Sequence, residues 1–191
     1  MNEISAIRLM FWGTGSSLAQ GRLEQPCNAI QFDDKIILLD VGEHCQKIFE
    51  TFKLGSNSPL YIFISHLHSD HYNGLNPLLE SLSLLGRSRP VVVLGPLGLR
   101  RVVMRNFGKL SFPVHITEFF SEEGTVPLLD NLILVRYVSA PHSLYALSYV
   151  FETKEKIRLD ETKLNTAKIS PRLRKELIQR GKITVNGVVY E

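Results

Sequence analysis

The chain has 191 residues, of which 44% are hydrophobic and 21% are charged, and its formal net charge is +3. This composition is typical of a globular domain with a substantial core, and the absence of any 18-residue apolar run excludes an ordinary membrane-spanning helix. The N-terminal residues lack the basic start and long apolar segment of a signal peptide, so we expect a cytoplasmic protein. The mild positive charge is compatible with a nucleic-acid substrate without requiring one.

Short apolar runs and helical patterns alternate along the chain. β-branched and aromatic residues predict strands at Ile7–Trp12, Asn28–Phe32, Lys35–Leu39, Leu60–Ile64, Val91–Leu94, Val114–Phe119, Asn131–Val138 and Ala146–Phe151. Helical spacing predicts helices after Asp40, after Asn73, and from Gly95 to about Phe107.

The last forty residues have a different pattern. They predict two short helices, at Leu159–Leu164 and Ser170–Arg180, followed by a hairpin over residues 181–190. Asn186-Gly187 is a strong two-residue turn signal for such a hairpin. We therefore divide a single domain, residues 1–191, into a first part, 1–153, and a helix-helix-hairpin part, 154–191.

A histidine-rich loop follows the predicted strand Leu60–Ile64 and precedes a predicted helix. Its sequence from His66 is His-Leu-His-Ser-Asp-His, which places three imidazoles and one carboxylate within six residues. Neutral imidazole and carboxylate are ligands for zinc and similar divalent ions. His66 and His68, two residues apart in an extended loop, can bind one ion, and Asp70 with His71 can face a second one. Two adjacent ions can promote displacement at phosphorus.

His142 is the candidate ligand from elsewhere in the chain, because it follows a predicted strand and a proline. His115 lies within a predicted strand, where we expect a structural role. Cys27 and Cys45 have no paired spacing and are expected to be free buried thiols in a reducing cytoplasm.

Basic residues are densest in the middle of the chain, at Arg87, Arg89, Arg100, Arg101 and Arg105. They are candidates for sequence-independent phosphate contacts, and a solvated helix face is an equally good interpretation.

The histidine-rich loop resembles the metal-binding signature of the metallo-β-lactamase fold hydrolases. Flanking segments resemble ribonuclease Z, the tRNA 3′-end processing endonuclease, within that group. These segments are Phe11-Trp12-Gly13-Thr14-Gly15-Ser16, Leu38-Leu39-Asp40-Val41-Gly42-Glu43, Leu85-Gly86-Arg87-Ser88-Arg89-Pro90 and Leu94-Gly95-Pro96-Leu97-Gly98-Leu99. The resemblance extends over roughly residues 4 to 190. The loop after Gly15 departs from the family, because it lacks the Pro-x-Lys-x-Arg-Asn pattern.

The resemblance implies a mixed α/β fold, a metallo-β-lactamase-like αββα sandwich whose second half is incomplete here. It implies a first metal site of His66, His68 and His142, a second of Asp70 and His71, and a catalytic role for Asp70 in orienting water. The expected metal is zinc, with manganese or magnesium as alternatives, and the expected substrate is precursor tRNA. For Asp40, the family implies a hydrogen bond that orients a metal-binding histidine, whereas its position before a helix suggests a cap.

The family's later metal ligands have no counterpart in this chain, because no histidine follows His142. An incomplete second sheet would leave a large apolar face exposed, which monomers rarely tolerate. We therefore expect either a piece of a longer hydrolase or a homodimer. Two other functions remain open: another hydrolase of small phosphodiesters or thioesters on the same fold, and a non-catalytic subunit.

Overall fold

The computed structural model describes residues 6–18, 23–103, 109–129, 133–153 and 159–190. The chain forms two compact units, Met1–Thr153 and Lys154–Glu191. Among the described residues, no helix is both long enough and apolar enough to cross a membrane.

A six-stranded sheet is the centre of the first unit, with strands in sequence order from β1 to β6. Its strands are β1 (Ile7–Gly13), β2 (Cys27–Phe32), β3 (Lys35–Leu39), β4 (Leu60–Phe63), β5 (Val91–Pro96) and β6 (Val114–Phe119). β1, β2 and β3 are antiparallel neighbours, whereas β3 to β6 run parallel. The carboxyl ends of these four parallel strands therefore lie along one edge of the sheet, where sites of α/β proteins are usually built.

Three helices pack against one face of this sheet: α1 (Lys47–Thr51), α2 (Leu75–Leu84) and α3 (Leu99–Val103). Because strand side chains alternate between faces, Ile36 and Leu38 belong to this helix-side core while Ile37 belongs to the other. Leucines of α2 recur at helical spacing as predicted, and Leu75, Leu78, Leu79 and Leu82 are all buried. The predicted helix start at Gly95 is wrong, because β5 continues to Pro96 in parallel pairing with β6.

A second sheet of three antiparallel strands, β7 (Glu123–Leu128), β8 (Ile133–Ala140) and β9 (Ala146–Thr153), packs on the opposite face. Ile133, Val135 and Leu147 from this sheet share a buried core with Ile37, Phe63 and Leu94 from the first sheet, among others. β7, which contains a proline, was not predicted from the sequence. Residues 131 and 132, where a strand was predicted to begin, lie outside the described residues.

The second sheet covers most of the apolar face that the sequence analysis expected to be exposed. Among the described residues, β1 carries an uncovered part of this face, where Ile7, Leu9 and Phe11 are 54%, 62% and 68% exposed. They pair with Phe32, Ile30 and Asn28 and so lie on the same face as the second sheet. We name Ile7, Leu9 and Phe11 the β1 stripe.

The second unit contains α4 (Glu161–Thr166), α5 (Pro171–Arg180), and a hairpin of β10 (Ile183–Val185) and β11 (Val188–Tyr190). Leu164, Ile169, Leu177 and Ile183 form its buried core. The predicted Asn186-Gly187 turn is confirmed: both residues have positive φ, 49° and 78°, as a tight hairpin turn requires.

Two buried features differ from the sequence analysis. Cys27 and Cys45 form a disulfide, so the expectation of free thiols is wrong; the residues are 18 apart in sequence and meet only through the fold. Arg87 is 1% exposed and donates hydrogen bonds to the carbonyls of Ser56, Ser58 and Pro90. Its guanidinium also lies over the ring of Phe112. Arg87 therefore ties three loops together and is not available to contact phosphate.

Candidate metal centre

The histidine-rich loop begins where β4 ends, at the edge formed by the carboxyl ends of the parallel strands. β4 is buried between β3 and β5, which gives the loop a rigid support. The loop continues into a single 3-10 turn, Ser69–His71. His71 N donates to the carbonyl of His68 at 3.0 Å, so the loop folds back and brings its polar side chains together.

Three imidazoles converge in this loop region. His66 Nε2 lies 2.9 Å and His142 Nε2 lies 3.1 Å from His68 Nδ1, and one nitrogen from each ring lies within 4.8 Å of the others. Nitrogens at these separations fit a single cation held between three neutral rings, which is the donor set of many zinc sites. The chemistry and spacing of these donors therefore fit a metal ion.

His142 reaches the loop from the turn between β8 and β9. Leu147 N, at the start of β9, donates to the carbonyl of Ser65 at 2.9 Å, and Tyr149 donates its hydroxyl proton to the carbonyl of Ile64 at 2.7 Å. These bonds fasten the second sheet to the end of β4. His142 is consequently brought to His68 although 74 positions separate them in sequence.

His66 is held in its neutral form by its surroundings. Burial is the main cause, and the nearby imidazoles of His71 and His142 add to it, so the pKa of His66 falls to about 4. A neutral imidazole has a free lone pair at ordinary pH, which is the form that binds metal ions.

Asp40 organises the other side of the cluster. Its Oδ1 accepts a hydrogen bond from Ser65 N at 2.7 Å, and its Oδ2 accepts from Ser65 Oγ at 2.8 Å and lies 2.8 Å from His71 Nδ1. The alternative role as a helix cap is wrong, because α1 begins only at Lys47 and its first flanking residue is Gln46. Ser65, which was not singled out from the sequence, is the residue that holds this carboxylate in place.

Asp70 and His71 are adjacent on the 3-10 turn. Asp70 is 6% exposed, and its Oδ2 lies 3.6 Å from His71 Nε2. Burial alone would lower the pKa of His71, but the hydrogen bond and charge of Asp40, with the charge of Asp70, raise it above its ordinary value. His71 is thus placed between two carboxylates, with its Nδ1 toward Asp40 and its Nε2 toward Asp70.

Two glycines allow the Asp40 segment to pack on the metal loop. Val41 N donates to the carbonyl of His71 at 2.8 Å, and Gly74 N donates to the carbonyl of Val41 at 2.9 Å. A Cβ at Gly74 would collide with the carbonyl of Gly42, and a Cβ at Gly42 would collide with the carbonyl of Asp70. Glycine at both positions therefore permits the close approach that carries Asp40 to His71.

The other candidate residues lie apart from the cluster. His115 is exposed on β6, and His44 precedes α1 and pairs with Glu24 at 3.3 Å. In the basic stretch, Arg100 donates to the carbonyl of Ile116, while Arg89 and Arg101 are exposed. Arg105 lies outside the described residues.

Curated proteins named ribonuclease Z are similar to most of this chain. The protein from Nitrosopumilus maritimus is 32% identical over 78% of the chain, and that from Thermococcus sibiricus is 30% identical over 95% of it. The chain covers 50% and 60% of these two proteins, so it spans little more than half of their length. A family model described as Anti-Pycsar protein Apyc1 matches residues 7–94.

Solved structures show the same likeness. Human tRNase Z, short form, superposes with a TM-score of 0.65 at 25% identity, covering 76% of this chain and 64% of that one. The metallo-β-lactamase fold protein YhfI from Bacillus subtilis gives a TM-score of 0.60 at 15% identity, covering 76% and 57%. The predicted resemblance is confirmed: this chain has the metallo-β-lactamase fold and is similar in sequence to ribonuclease Z over most of its length.

Proposed function

We propose that the chain belongs to a metal-dependent phosphodiesterase, an endoribonuclease of the ribonuclease Z kind that cleaves the 3′ trailer of precursor tRNA. The observation that carries the proposal is the convergence of His66, His68 and His142 beside the Asp40–His71 pair. The similarity to curated ribonucleases Z supports the substrate class.

In this proposal the residues fall into two ligand groups. His66, His68 and His142 hold one ion, and Asp70 and His71 provide ligands for a second. Zinc is the expected metal, since imidazoles predominate, with manganese or magnesium as alternatives. A bound divalent ion supplies a Lewis acid, which activates water and stabilises negative charge developing on phosphate oxygens.

Asp40, Asp70 and His66 position the groups of this site and determine where its protons lie. Asp40 accepts the Nδ1 proton of His71 and so leaves His71 Nε2 directed toward Asp70. Asp70 is a buried carboxylate that orients a water molecule and accepts its proton at Oδ2. His66, neutral because its pKa is about 4, keeps its ligand lone pair throughout the physiological range.

We further propose that the active form is a homodimer in the cytoplasm. The β1 stripe leaves three apolar side chains exposed on the face that the second sheet covers elsewhere, and a second copy packed there would bury them. The cytoplasmic location follows from the proposed substrate, precursor tRNA. The disulfide between Cys27 and Cys45 is compatible with this location, because both residues are fully buried and so shielded from cellular reductants.

The first experiment measures metal content by plasma mass spectrometry after equilibration with zinc, together with cleavage of a precursor tRNA. We expect two zinc ions per chain and trailer release that His68→Ala abolishes. His115→Ala is the matched control, because it removes an exposed histidine outside the cluster. One ion or none, with no cleavage, would overturn the proposal of an active endonuclease.

A second candidate is a hydrolase of small phosphodiesters. The match of residues 7–94, which include the metal loop, to the family model described as Anti-Pycsar protein Apyc1 keeps this candidate open, because this part of the chain is similar to proteins other than ribonuclease Z. Parallel assays with bis-p-nitrophenyl phosphate separate the two functions. Turnover of that compound without cleavage of precursor tRNA would support the second candidate.

A further inference from the structure

The turns around the metal centre carry large apolar side chains that the metal centre does not use. Leu97 follows β5, Phe120 follows β6, and Leu144 and Tyr145 lie in the turn between β8 and β9; all four are exposed, and Phe120 is 80% exposed. Single exposed apolar residues are normal on a protein surface, whereas a group of them in one place indicates a binding surface. We name these four residues the apolar rim.

Leu97 and Phe120 are neighbours across two strands. The parallel register places Pro96 opposite Phe119, the last residues of β5 and β6, so the residues that follow them lie side by side. Leu97 N donates to the carbonyl of Phe119 at 2.9 Å, and the Phe119 ring stacks on Tyr137 with ring centroids 4.1 Å apart. The backbone that carries the exposed Phe120 ring is therefore fixed by a hydrogen bond and by a buried neighbour.

The apolar rim adjoins the metal loop on one side. Leu67, a residue of that loop, packs against Gly98, because a Cβ at Gly98 would lie 3.1 Å from Leu67 Cδ1. Leu97 is the residue before Gly98 in the chain. β4 and β6 are separated by two strand spacings, so the end of β6, next to Phe120, lies about 10 Å from the start of the metal loop.

The apolar rim adjoins the turn that carries His142 on the other side. Tyr145, three residues after His142, donates its hydroxyl proton to the carbonyl of Ser121, which is the residue after Phe120. Ser121 Oγ and the Tyr137 hydroxyl also share a hydrogen bond at 2.7 Å. The apolar rim therefore borders the metal centre from the metal loop to the His142 turn.

The chemistry of the apolar rim favours a flat, uncharged ligand over phosphate. Exposed aromatic rings stack nucleobases of any sequence, because every base has a π-face. Glu122 and Glu123, in the turn after β6, are exposed and repel phosphate groups at this place. The first unit, with twelve basic and fourteen acidic residues over positions 1–153, has a net charge of −2. A base therefore suits the apolar rim better than the sugar–phosphate backbone does.

We propose that the apolar rim binds a nucleobase of the RNA substrate close to the scissile phosphodiester, with the Phe120 ring as the main stacking surface. The choice of RNA rests on the proposed function. A second copy of this chain is less suited to the apolar rim, because a protein docked there would cover the neighbouring metal centre. A base stacked on Phe120 leaves the metal centre open to the phosphodiester beside that base.

The strength of base stacking sets the size of the expected effect. Stacking of one base on one aromatic side chain raises affinity about 5-fold to about 150-fold, measured as the loss on replacing the ring by alanine. Phe120→Ala should lower affinity for the RNA within this range. Phe120→Trp keeps a planar ring and should retain affinity, whereas Phe120→Leu keeps only an apolar side chain and should bind about as weakly as Phe120→Ala.

The test measures binding of a fluorescently labelled precursor tRNA by anisotropy in EDTA, with the full chain. It is repeated with RNAs from which one base at a time, within two nucleotides of the cleavage site, has been removed. For the RNA that lacks the stacked base, the wild type and Phe120→Ala should bind equally, because the interaction is already absent.

Leu84→Ala is the matched control. Leu84 is 89% exposed at the end of α2, a ten-residue helix that carries the chain about 15 Å away from the metal loop. This variant removes an exposed apolar side chain outside the apolar rim and should retain wild-type affinity. Circular dichroism checks that each variant is folded.

Wild-type affinity in Phe120→Ala or in Phe120→Leu would overturn the inference, as would an equal loss in Leu84→Ala. A loss of the same size on every abasic RNA would also overturn it, since no base would then depend on Phe120. Analytical ultracentrifugation tests the other occupant. Conversion of a wild-type dimer into a monomer by Phe120→Ala, with no dependence on any base, would assign the apolar rim to self-association and overturn the inference.

Binding is measured without metal, so it is independent of cleavage. A base-dependent loss in Phe120→Ala, without cleavage by the wild type in zinc, refutes only the proposed function. Cleavage by the wild type, with unchanged RNA affinity in Phe120→Ala, refutes only this inference.

Discussion

Replacing Asp40 by Asn should reverse the tautomer of His71. In the wild type, the Asp40 carboxylate accepts a proton from His71 Nδ1 and leaves a lone pair on Nε2, the nitrogen that faces Asp70. The side-chain amide of Asn can keep the bond from Ser65 N at one atom. Its NH₂ group would then donate toward His71 Nδ1, which moves the imidazole proton to Nε2.

The size of the expected loss in metal affinity follows from these contacts. Loss of a carboxylate that orients a ligating histidine typically weakens metal binding 10-fold to 100-fold, which is about 1.4 to 2.7 kcal/mol. The expected effect is largest at the site of Asp70 and His71, because Asp40 contacts His71 directly, whereas it reaches His66 only through Ser65 Oγ and is not a hydrogen-bond partner of His68 or His142. We therefore expect the zinc ion at Asp70 and His71 to lose more affinity than the ion at His66, His68 and His142.

Two measurements check this prediction. Zinc competition against a chromophoric chelator gives the affinities, and nitrogen-15 spectra of the metal-free imidazoles report which ring nitrogen of His71 carries the proton. Asp34→Asn is the matched control, since Asp34 is an exposed carboxylate in the β2–β3 turn, paired with Lys35. A variant with wild-type zinc affinity, or with the proton still on Nδ1, would refute the role assigned to Asp40.

Three further predictions concern stability. Arg87→Met should lower the free energy of unfolding, measured by urea melts, by about 3 to 5 kcal/mol, because three carbonyls lose their hydrogen-bond donor. In the control variant Arg89→Met, which changes an exposed side chain, the free energy of unfolding should change by less than about 0.5 kcal/mol. Thiol titration in guanidinium should find no free thiol in the unreduced protein, and two titratable thiols would contradict the disulfide. Reduction of the Cys27–Cys45 bond should destabilise the protein by about 3 kcal/mol. Gly187→Ala should cost about 1 kcal/mol in the second unit, because φ is +78° at this position; an unchanged melting curve would contradict the turn.

Local sequence patterns determined the parts of this protein that depend on neighbouring residues. Two short segments around the Asp33-Asp34 turn predicted β2 and β3, and Asn186-Gly187 predicted the last hairpin, because two-residue turns select residues that tolerate positive φ. The histidine-rich loop was recognisable for the same reason: three imidazoles and a carboxylate lie within six residues. The fold and the similarity to ribonuclease Z were predictable from these patterns and the flanking segments.

Tertiary packing decided what depends on residues far apart in the sequence. The basic stretch suggested that Arg87 is an exposed cation, but its side chain is buried. Its guanidinium donates hydrogen bonds to the carbonyls of residues 31 and 29 positions away in the sequence. Cys27 and Cys45 meet only where the Asp40 segment folds back beside β2. The spacing of the metal loop gave no sign that Ser65 would anchor Asp40, nor that bonds from β9 would bring His142 against His68. Such contacts form only when sheets and loops close over a shared core, so no local pattern encodes them.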